Sequence, residues 1–390
     1  MGSNGFRAND QSRAFGSEWR ISFLLFTSLA WGCSAFQDLK LAPDARVLDS
    51  CGNHAGAPPR PSLEGPPGEQ TFFVALTELD FGDEGAEGNP SWPRTGFDLD
   101  GYCTGQENGP SCVTPGWAKA DHTDWLDGRD KDGLDGRDNA FGALAWEGRT
   151  FSTLSVSATS NVEMKNGKSS LGIRVSGYNG AGNDDRVRVE VLGIRLSGEG
   201  PPKEDGTDVW DPMFYYVDTD AGYPAPKYFD DDAYVSDRKL VANFREMQGG
   251  GMILLRRVLL TGSIVEADDG GWSLSEGTFG GRGNIDDLLA LAEYFPDPKV
   301  CSGTREYAVY KPFVCRYADI RYSVPDDPSV PDDPTLPCDG VSIGWSFKVA
   351  PAQISDQVNN ERARNYCEEA SFPPIRDSCS SLPDPQNAAR

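Results

Sequence analysis

Short runs in which every second residue is apolar recur along this chain. Ile173 and Val175 do so in Leu171–Ser176, and Val187, Val189 and Val191 in Val187–Leu196. Val341, Ile343, Trp345, Phe347 and Val349 make the cleanest run. A period of two puts one face of a β-strand on a core and the other in solvent, and it does not suit a helix. Between the first two runs lies the Gly/Asn-rich stretch 177–185, a turn. With 44 Gly and 28 Pro in 390 residues, the chain has the turn chemistry of a β protein. The expected fold is mainly β: an antiparallel β-sandwich, jelly-roll or lectin-like, of about ten strands. One or two short helices are expected near the C-terminal third.

Other segments fill in this picture. Thr71–Leu79 is aromatic and β-branched and reads as the first strand. Phe151–Ala158, 208–218 and Tyr228–Val235 are further strand candidates. Met252–Val265 is apolar enough for a central strand pair or a buried helix, and its flanking glycines favour strands. A helix is predicted from Asn284, an N-cap followed by Asp286 and Asp287 at the positive end of the helix dipole. Ile285, Leu288, Leu289 and Ala292 follow helical spacing, and Pro296 ends the run. A second helix through Glu306–Tyr310 is limited by Pro312. The tandem Val-Pro-Asp-Asp-Pro within 323–337 reads as an extended, solvated loop. One β-sandwich domain is therefore expected over 71–322. The loop 323–337 follows, and 338–390 returns to the same domain as a strand and a disulfide-tied tail.

The first 70 residues concern export. Arg7, Arg13 and Arg20 precede the apolar run Ile21–Gly32, which is too short to span a bilayer and has the form of a signal-peptide core. Residues 1–32 are read as that signal. Ala30-Trp31-Gly32-Cys33 resembles a bacterial lipobox, although Trp31 stands where a small residue is preferred. Cys33 is then the lipidated residue, and plain secretion after cleavage at Gly32 is the alternative. Residues 33–70, rich in Pro, Gly and Ala, read as a disordered tether. The chain has nine cysteines. Apart from Cys33 there remain Cys51, Cys103, Cys112, Cys301, Cys315, Cys338, Cys367 and Cys379, an even set that suggests four disulfides in an exported protein. A local Cys103–Cys112 bridge would be worth roughly 2–3 kcal/mol in the chain-entropy model. Cys301 with Cys315 is a second candidate pair, and Cys367 and Cys379 tie the tail. The net charge of −24 argues against nucleic acid and against electrostatic docking on anionic lipid. Contact with a membrane is expected through the lipid anchor only.

The stretch from Phe97 to Asn139 is the candidate functional region. Asp127, Asp130, Asp132, Asp135 and Asp138 crowd into a Gly-rich segment, the chemistry that a hard, oxygen-seeking cation such as calcium needs. Asp98 and Asp100 are further candidate ligands. The run resembles the Asp-rich calcium loops of thrombospondin type 3 and dockerin repeats, with the spacing off by a residue and no closing Glu. A solvated acidic turn is the plain alternative. Glu78, Asp80 and Asp83 resemble the Glu-x-Asp-x-x-Glu strand of laminarinase-type glycoside hydrolases, which implies a retaining carboxylate pair. Asp83 stands where that family has Glu, and Gly82 breaks the alternation. Phe214, Tyr215, Tyr216, Tyr223, Tyr228, Phe229 and Tyr234 could stack on sugar rings or simply fill a core. The two histidines, His54 and His122, leave little for His-based catalysis, and no nucleophile-elbow, Walker or His-Glu-x-x-His motif is present.

Several pieces carry a wider resemblance. They are the lipobox-like start, Gly96–Gly101 followed by Cys103 and Cys112, Gly136–Gly142, Ser176–Gly180, and the late block with Cys301, Cys315, Ala318–Ile320 and Cys338. Together these resemble a group of exported lipoproteins of myxobacterial type. The resemblance implies export and a shared β fold, and it brings no activity. The expected function is that of a cell-envelope surface lipoprotein, a binding or structural module stabilised by calcium and not an enzyme. The alternative is an exported glycan-active hydrolase or carbohydrate-binding protein, so a glycan is the candidate ligand.

Overall fold

The alternating runs form strands, and the strands close on themselves. The computed structural model describes residues 55–382 apart from 63–67, 86–88, 105–110, 119–131, 150–154, 219–224, 250–252, 268–269, 296–299 and 326–331. The described residues lie in one compact unit, 42–390. Its strands are β1 (Gln70–Asp80), β2 (Ser170–Tyr178), β3 (Asp184–Leu196), β4 (Val209–Pro212), β5 (Val217–Asp218) and β6 (Ala225–Pro226). Then follow β7 (Tyr228–Ser236), β8 (Lys239–Gly249), β9 (Ile253–Glu266), β10 (Trp272–Asn284), β11 (Gly340–Pro351) and β12 (Gln353–Ile354).

The main sheet runs β3-β2-β1-β11-β10-β9-β8-β7, and β7 pairs back onto β3, with Val187 opposite Ala233 and Val191 opposite Tyr228. This corrects the expected sandwich: the sheet is an eight-stranded antiparallel β-barrel. Alternation reports only that each strand has one buried face, which holds for both architectures. Closure depends on one long-range pairing that no local pattern encodes. β4 and β12 extend the sheet beside the end of β3.

The barrel is filled by side chains. Phe72, Val74 and Leu76 of β1, Ile173 and Val175 of β2, Phe279 of β10, and Ile343, Trp345 and Phe347 of β11 belong to one continuous core. Phe279 and Trp345 stack there at 5.0 Å. The outer face carries charge, as in the pairs Arg188–Glu190 at 2.8 Å and Lys348–Glu78 at 3.0 Å. An apolar inside and a charged outside are the reverse of a membrane-spanning barrel. Among the described residues no helix is long and apolar enough to cross a membrane.

Helices pack on this barrel, and one of them, over 156–165, stands where a strand was anticipated. α1 (Ala140–Gly148) is capped by Asn139, which accepts from the Gly142 N–H, and α2 (Val156–Lys165) by Ser155, which accepts from Ala158. The Ser/Thr-rich 151–158 segment thus supplies a helix cap from residue 155 onward. α3 (Ile285–Leu291) starts at the anticipated Asn284 cap. α4 (Arg305–Cys315) runs through Pro312, because burial of Phe313, Val314 and Cys315 outweighs the lost backbone bond. A short α5 (Tyr366–Glu369) lies in the tail. Residues 253–266 make one strand, not a pair. β10 was not anticipated, since its glycines hide the period. Gly277 faces the ring of Phe347, where a Cβ would fall 2.3 Å from the nearest ring carbon.

The disulfides also differ from the local pairs expected. Cys112 bonds Cys338, Cys301 bonds Cys367 and Cys315 bonds Cys379. Cys103 is disulfide-bonded as well. The Cys112–Cys338 link joins positions 226 apart and is worth about 5 kcal/mol in the chain-entropy model, well above a nine-residue loop. Cys33 and Cys51 lie outside the described residues. The tandem loop is exposed over 333–337 as expected, and one residue departs. Asp332 is 5% exposed rather than solvated, because it meets Arg282 of β10 at 2.7 Å.

Candidate metal centre

Three loops meet on the outer face of β10 and β11. The first carries Asp98 and Asp100, the second Asp132 and Asp138, and the third Asp319, just after α4. Local backbone chemistry places each of them. The Asp138 N–H donates to Phe97 O at 2.8 Å and pins the first two loops together. Between Asp132 and Asp138 the chain reverses through Leu134–Arg137, with Asp135 at φ 57° and Gly136 at φ 73°. Both are left-handed, the type I′ turn that an Asp-Gly pair favours. A Cβ on Gly136 would also sit 3.2 Å from the Asp98 carboxylate, so glycine serves both the turn and the site. Asp319 is held by Ser342 of β11, through its N–H at 2.8 Å and through its hydroxyl.

The carboxylates converge. Asp98, Asp100 and Asp138 each offer an oxygen, and these oxygens lie within 4.8 Å of one another. Asp138 is buried, at 3% exposure, while Asp98, Asp100, Asp132 and Asp319 keep an accessible edge. Each is oriented by backbone donors: Leu99 N–H to Asp138 at 2.6 Å, Gly101 to Asp98 at 2.7 Å, Tyr102 to Asp100 at 2.8 Å and Thr104 to Asp132 at 2.6 Å. Burial, then mutual repulsion, raises the pKa of Asp100, Asp132, Asp138 and Asp319. Asp100 rises to about 6, Asp319 to about 7 and Asp132 to about 8, and Asp138 is raised as well. Asp100 appears among the repelling charges for the other three. Arg282 supplies an opposing field at Asp100, and its Nη2 donates to Leu99 O at 2.5 Å, which braces the first loop. Ser111 completes the site. Its hydroxyl is buried, makes no well-formed hydrogen bond, and lies near enough to Asp100 to favour its ionised form.

Two unit charges 4 Å apart repel by about 4 kcal/mol at an effective dielectric of 20. Such a group is neutralised either by protons or by a cation. Oxygens bound to one calcium at about 2.3–2.6 Å lie no more than about 5 Å apart, a span this cluster meets. A hydroxyl and several carboxylates are the donors such an ion takes.

The chain matches no protein-family model, no curated protein and no solved structure. What the site can do rests on its geometry.

The anticipated acidic residues separate into groups. Asp132 and Asp138 are in the cluster, as are the auxiliary candidates Asp98 and Asp100. Asp135 turns away and pairs with Arg137 at 3.0 Å. Asp127 and Asp130 lie outside the described residues, as do both histidines. Asp319 was not foreseen as a member. Only the three-dimensional return of the chain beside Ser342 brings it in.

The other candidates have structural surroundings. Asp83 is fully buried under α2 and accepts from the Ser155 hydroxyl at 2.8 Å, the Val156 N–H at 2.7 Å and the Ser157 hydroxyl. It anchors a helix N-terminus. Glu78 instead faces Lys348 on the outer surface. Of the aromatic stretch, Tyr215, Tyr216 and Tyr228 join a second small core outside β3, where Tyr216 packs with Trp210 and Met213 and donates to Gln248 O at 2.6 Å; Phe229 is exposed and Tyr223 lies outside the described residues. A polar cleft of about 290 Å³ crosses the outer face between Glu78, Lys348, Glu276, Thr278, Thr261 and Lys239.

Proposed function

We propose that this protein is an exported, disulfide-stapled module of the cell envelope whose loop face is closed by calcium. The convergence of Asp98, Asp100 and Asp138 within 4.8 Å carries the reading. Asp132, Asp319 and the Ser111 hydroxyl add donors around them. The ion joins three loops, so its first role is to order that face for binding or assembly. The module is carried on the membrane by lipid on Cys33, and the resemblance to exported lipoproteins supports that placement.

Calorimetric titration of the chelator-treated protein with calcium tests the site. With calcium a hundredfold above its dissociation constant, the folded state gains about 2.7 kcal/mol. Thermal melts in calcium and in EDTA should then differ by several degrees. Identical melts with no titration heat would remove calcium from the proposal. Mass spectrometry of the mature N-terminus tests the lipid.

The polar cleft supports a second reading, a glycan site, because Thr278, Thr261, Ser346 and three carboxylates line it. Hydroxyls and carboxylates together suit a polyhydroxylated ligand. A glycan array that returns no ligand, or one whose binding survives Thr278→Arg, would exclude this cleft.

A further inference from the structure

The Cys112–Cys338 disulfide sits at the cation site, and its surroundings tie it to the ligands on both sides. Ser111, the residue before Cys112, is 1% exposed with a hydroxyl that has no well-formed partner beside Asp100. Cys112 Sγ lies 3.3 Å from the carbonyl of Asp319, a member of the cluster. Cys338 leads directly into β11, where Gly340 O accepts from the Asp319 N–H at 3.1 Å and Ser342 grips the Asp319 carboxylate. Two backbone bonds flank the bridge: the Val113 N–H to Leu336 O at 2.8 Å and the Cys338 N–H to Val113 O at 2.9 Å. The short segment 111–113, which carries Ser111, is therefore held against 336–338, which leads into the β11 residues that hold Asp319.

We infer that cation binding and the Cys112–Cys338 disulfide are reciprocally coupled, which makes the site sensitive to thiol reductants. This rests on the calcium reading above. The bridge holds Ser111 and Asp319 in place, so the oxidised protein binds calcium more tightly than the reduced one. By linkage, bound calcium must favour the disulfide by the same factor. Reduction takes two electrons and two protons from an added dithiol. The S–S bond breaks, two thiols form, and the dithiol closes to a cyclic disulfide. Both sulfurs are buried, at 0% and 3% exposure, so attack requires local opening of the loops that the ion ties together. The other two described bridges, Cys301–Cys367 and Cys315–Cys379, tie the tail to α4 and its preceding loop.

The full mature chain would be exposed to dithiothreitol in calcium and in EDTA, with timed alkylation and peptide mass spectrometry for each cysteine. Calcium should slow reduction of Cys112–Cys338 about tenfold and change the other two bridges less than twofold. Calcium affinity of Cys112→Ala/Cys338→Ala, measured by calorimetry, should fall about tenfold. Because that variant can lose its fold, Ser111→Ala with the bridge intact gives a second measure and should weaken calcium several-fold. If calorimetry shows calcium bound and the three described bridges reduce at unchanged rates, or slow alike, the coupling is refuted and the calcium reading stands. If no calcium binds, the calcium reading fails and the coupling with it.

Discussion

Two charged groups lie side by side on the outer face of β10 and β11, and they are built in opposite ways. Arg282 and Asp332 form a closed pair: both side chains are at most 1% exposed, they meet at 2.7 Å, and Arg282 donates further to Arg321 O at 3.0 Å. The neighbouring cluster gathers Asp98, Asp100, Asp132, Asp138 and Asp319 against little positive charge. One arrangement is neutral within itself. The other is neutral only when it holds protons or an ion. The same loops support both, since Arg282 grips Leu99 O between Asp98 and Asp100. The pair therefore reads as the fixed base on which the unbalanced cluster stands.

The largest effect is expected from breaking the closed pair. Arg282→Met leaves buried Asp332 with only the more distant Arg257, at 3.8 Å, and should destabilise the protein by about 3–5 kcal/mol. Adding Asp332→Leu removes the stranded charge and should recover much of that loss. Denaturant unfolding of both variants measures it. Calcium affinity should stay low in the double variant, because the brace on Leu99 is gone. A double variant that binds calcium like wild type would detach the pair from the site.

Opening the other group should act in the reverse direction without calcium. Asp138→Asn should abolish the calcium-dependent shift in melting temperature. In EDTA it should leave stability unchanged or raise it, since one repelling charge is gone. The pH response follows from the same charges. In chelated protein the carboxyls of Asp100, Asp319 and Asp132 titrate near 6, 7 and 8, above their ordinary 3.8. A folded-state value above the unfolded one means that folding binds protons. That stability is complete below about pH 4 and is lost as the pH rises through 6 to 8. Saturating calcium should flatten or reverse this slope, because the ion takes the deprotonated form. Melting temperatures from pH 5 to 8 with and without EDTA distinguish the two. Parallel curves would show that no ion replaces the protons.

How much of this was legible in the chain depends on the range of the interactions. The strands at 171–176, 187–196 and 341–349 could be read because alternation is local. Asn284 announced α3 for the same reason. The barrel could not be read, because it depends on β3 meeting β7. β10 was hidden by the glycines that let Phe347 lie across it. Asp98, Asp100, Asp132 and Asp138 stood out as an acidic, Gly-rich region. Asp319 and Ser111 did not, since one reaches the site through β11 and the other through a disulfide to Cys338. Spacing alone favoured the short Cys103–Cys112 and Cys301–Cys315 loops over the long links that form.

The smallest expected effect tests the boundary between the two groups. Asp135 belongs to the same acidic run as Asp132 and Asp138, but the type I′ turn points it to Arg137. Its side chain and that of Arg137 are both partly exposed, so the pair is worth less than about 1 kcal/mol. Asn tolerates a left-handed backbone nearly as well as Asp does. Asp135→Asn should therefore shift stability by no more than about 0.5 kcal/mol and leave calcium affinity within twofold of wild type. If Asp135→Asn instead cost as much calcium affinity as Asp138→Asn, the ion would sit over the turn rather than among the converged carboxylates. The cluster assigned from Asp98, Asp100 and Asp138 would then be wrong.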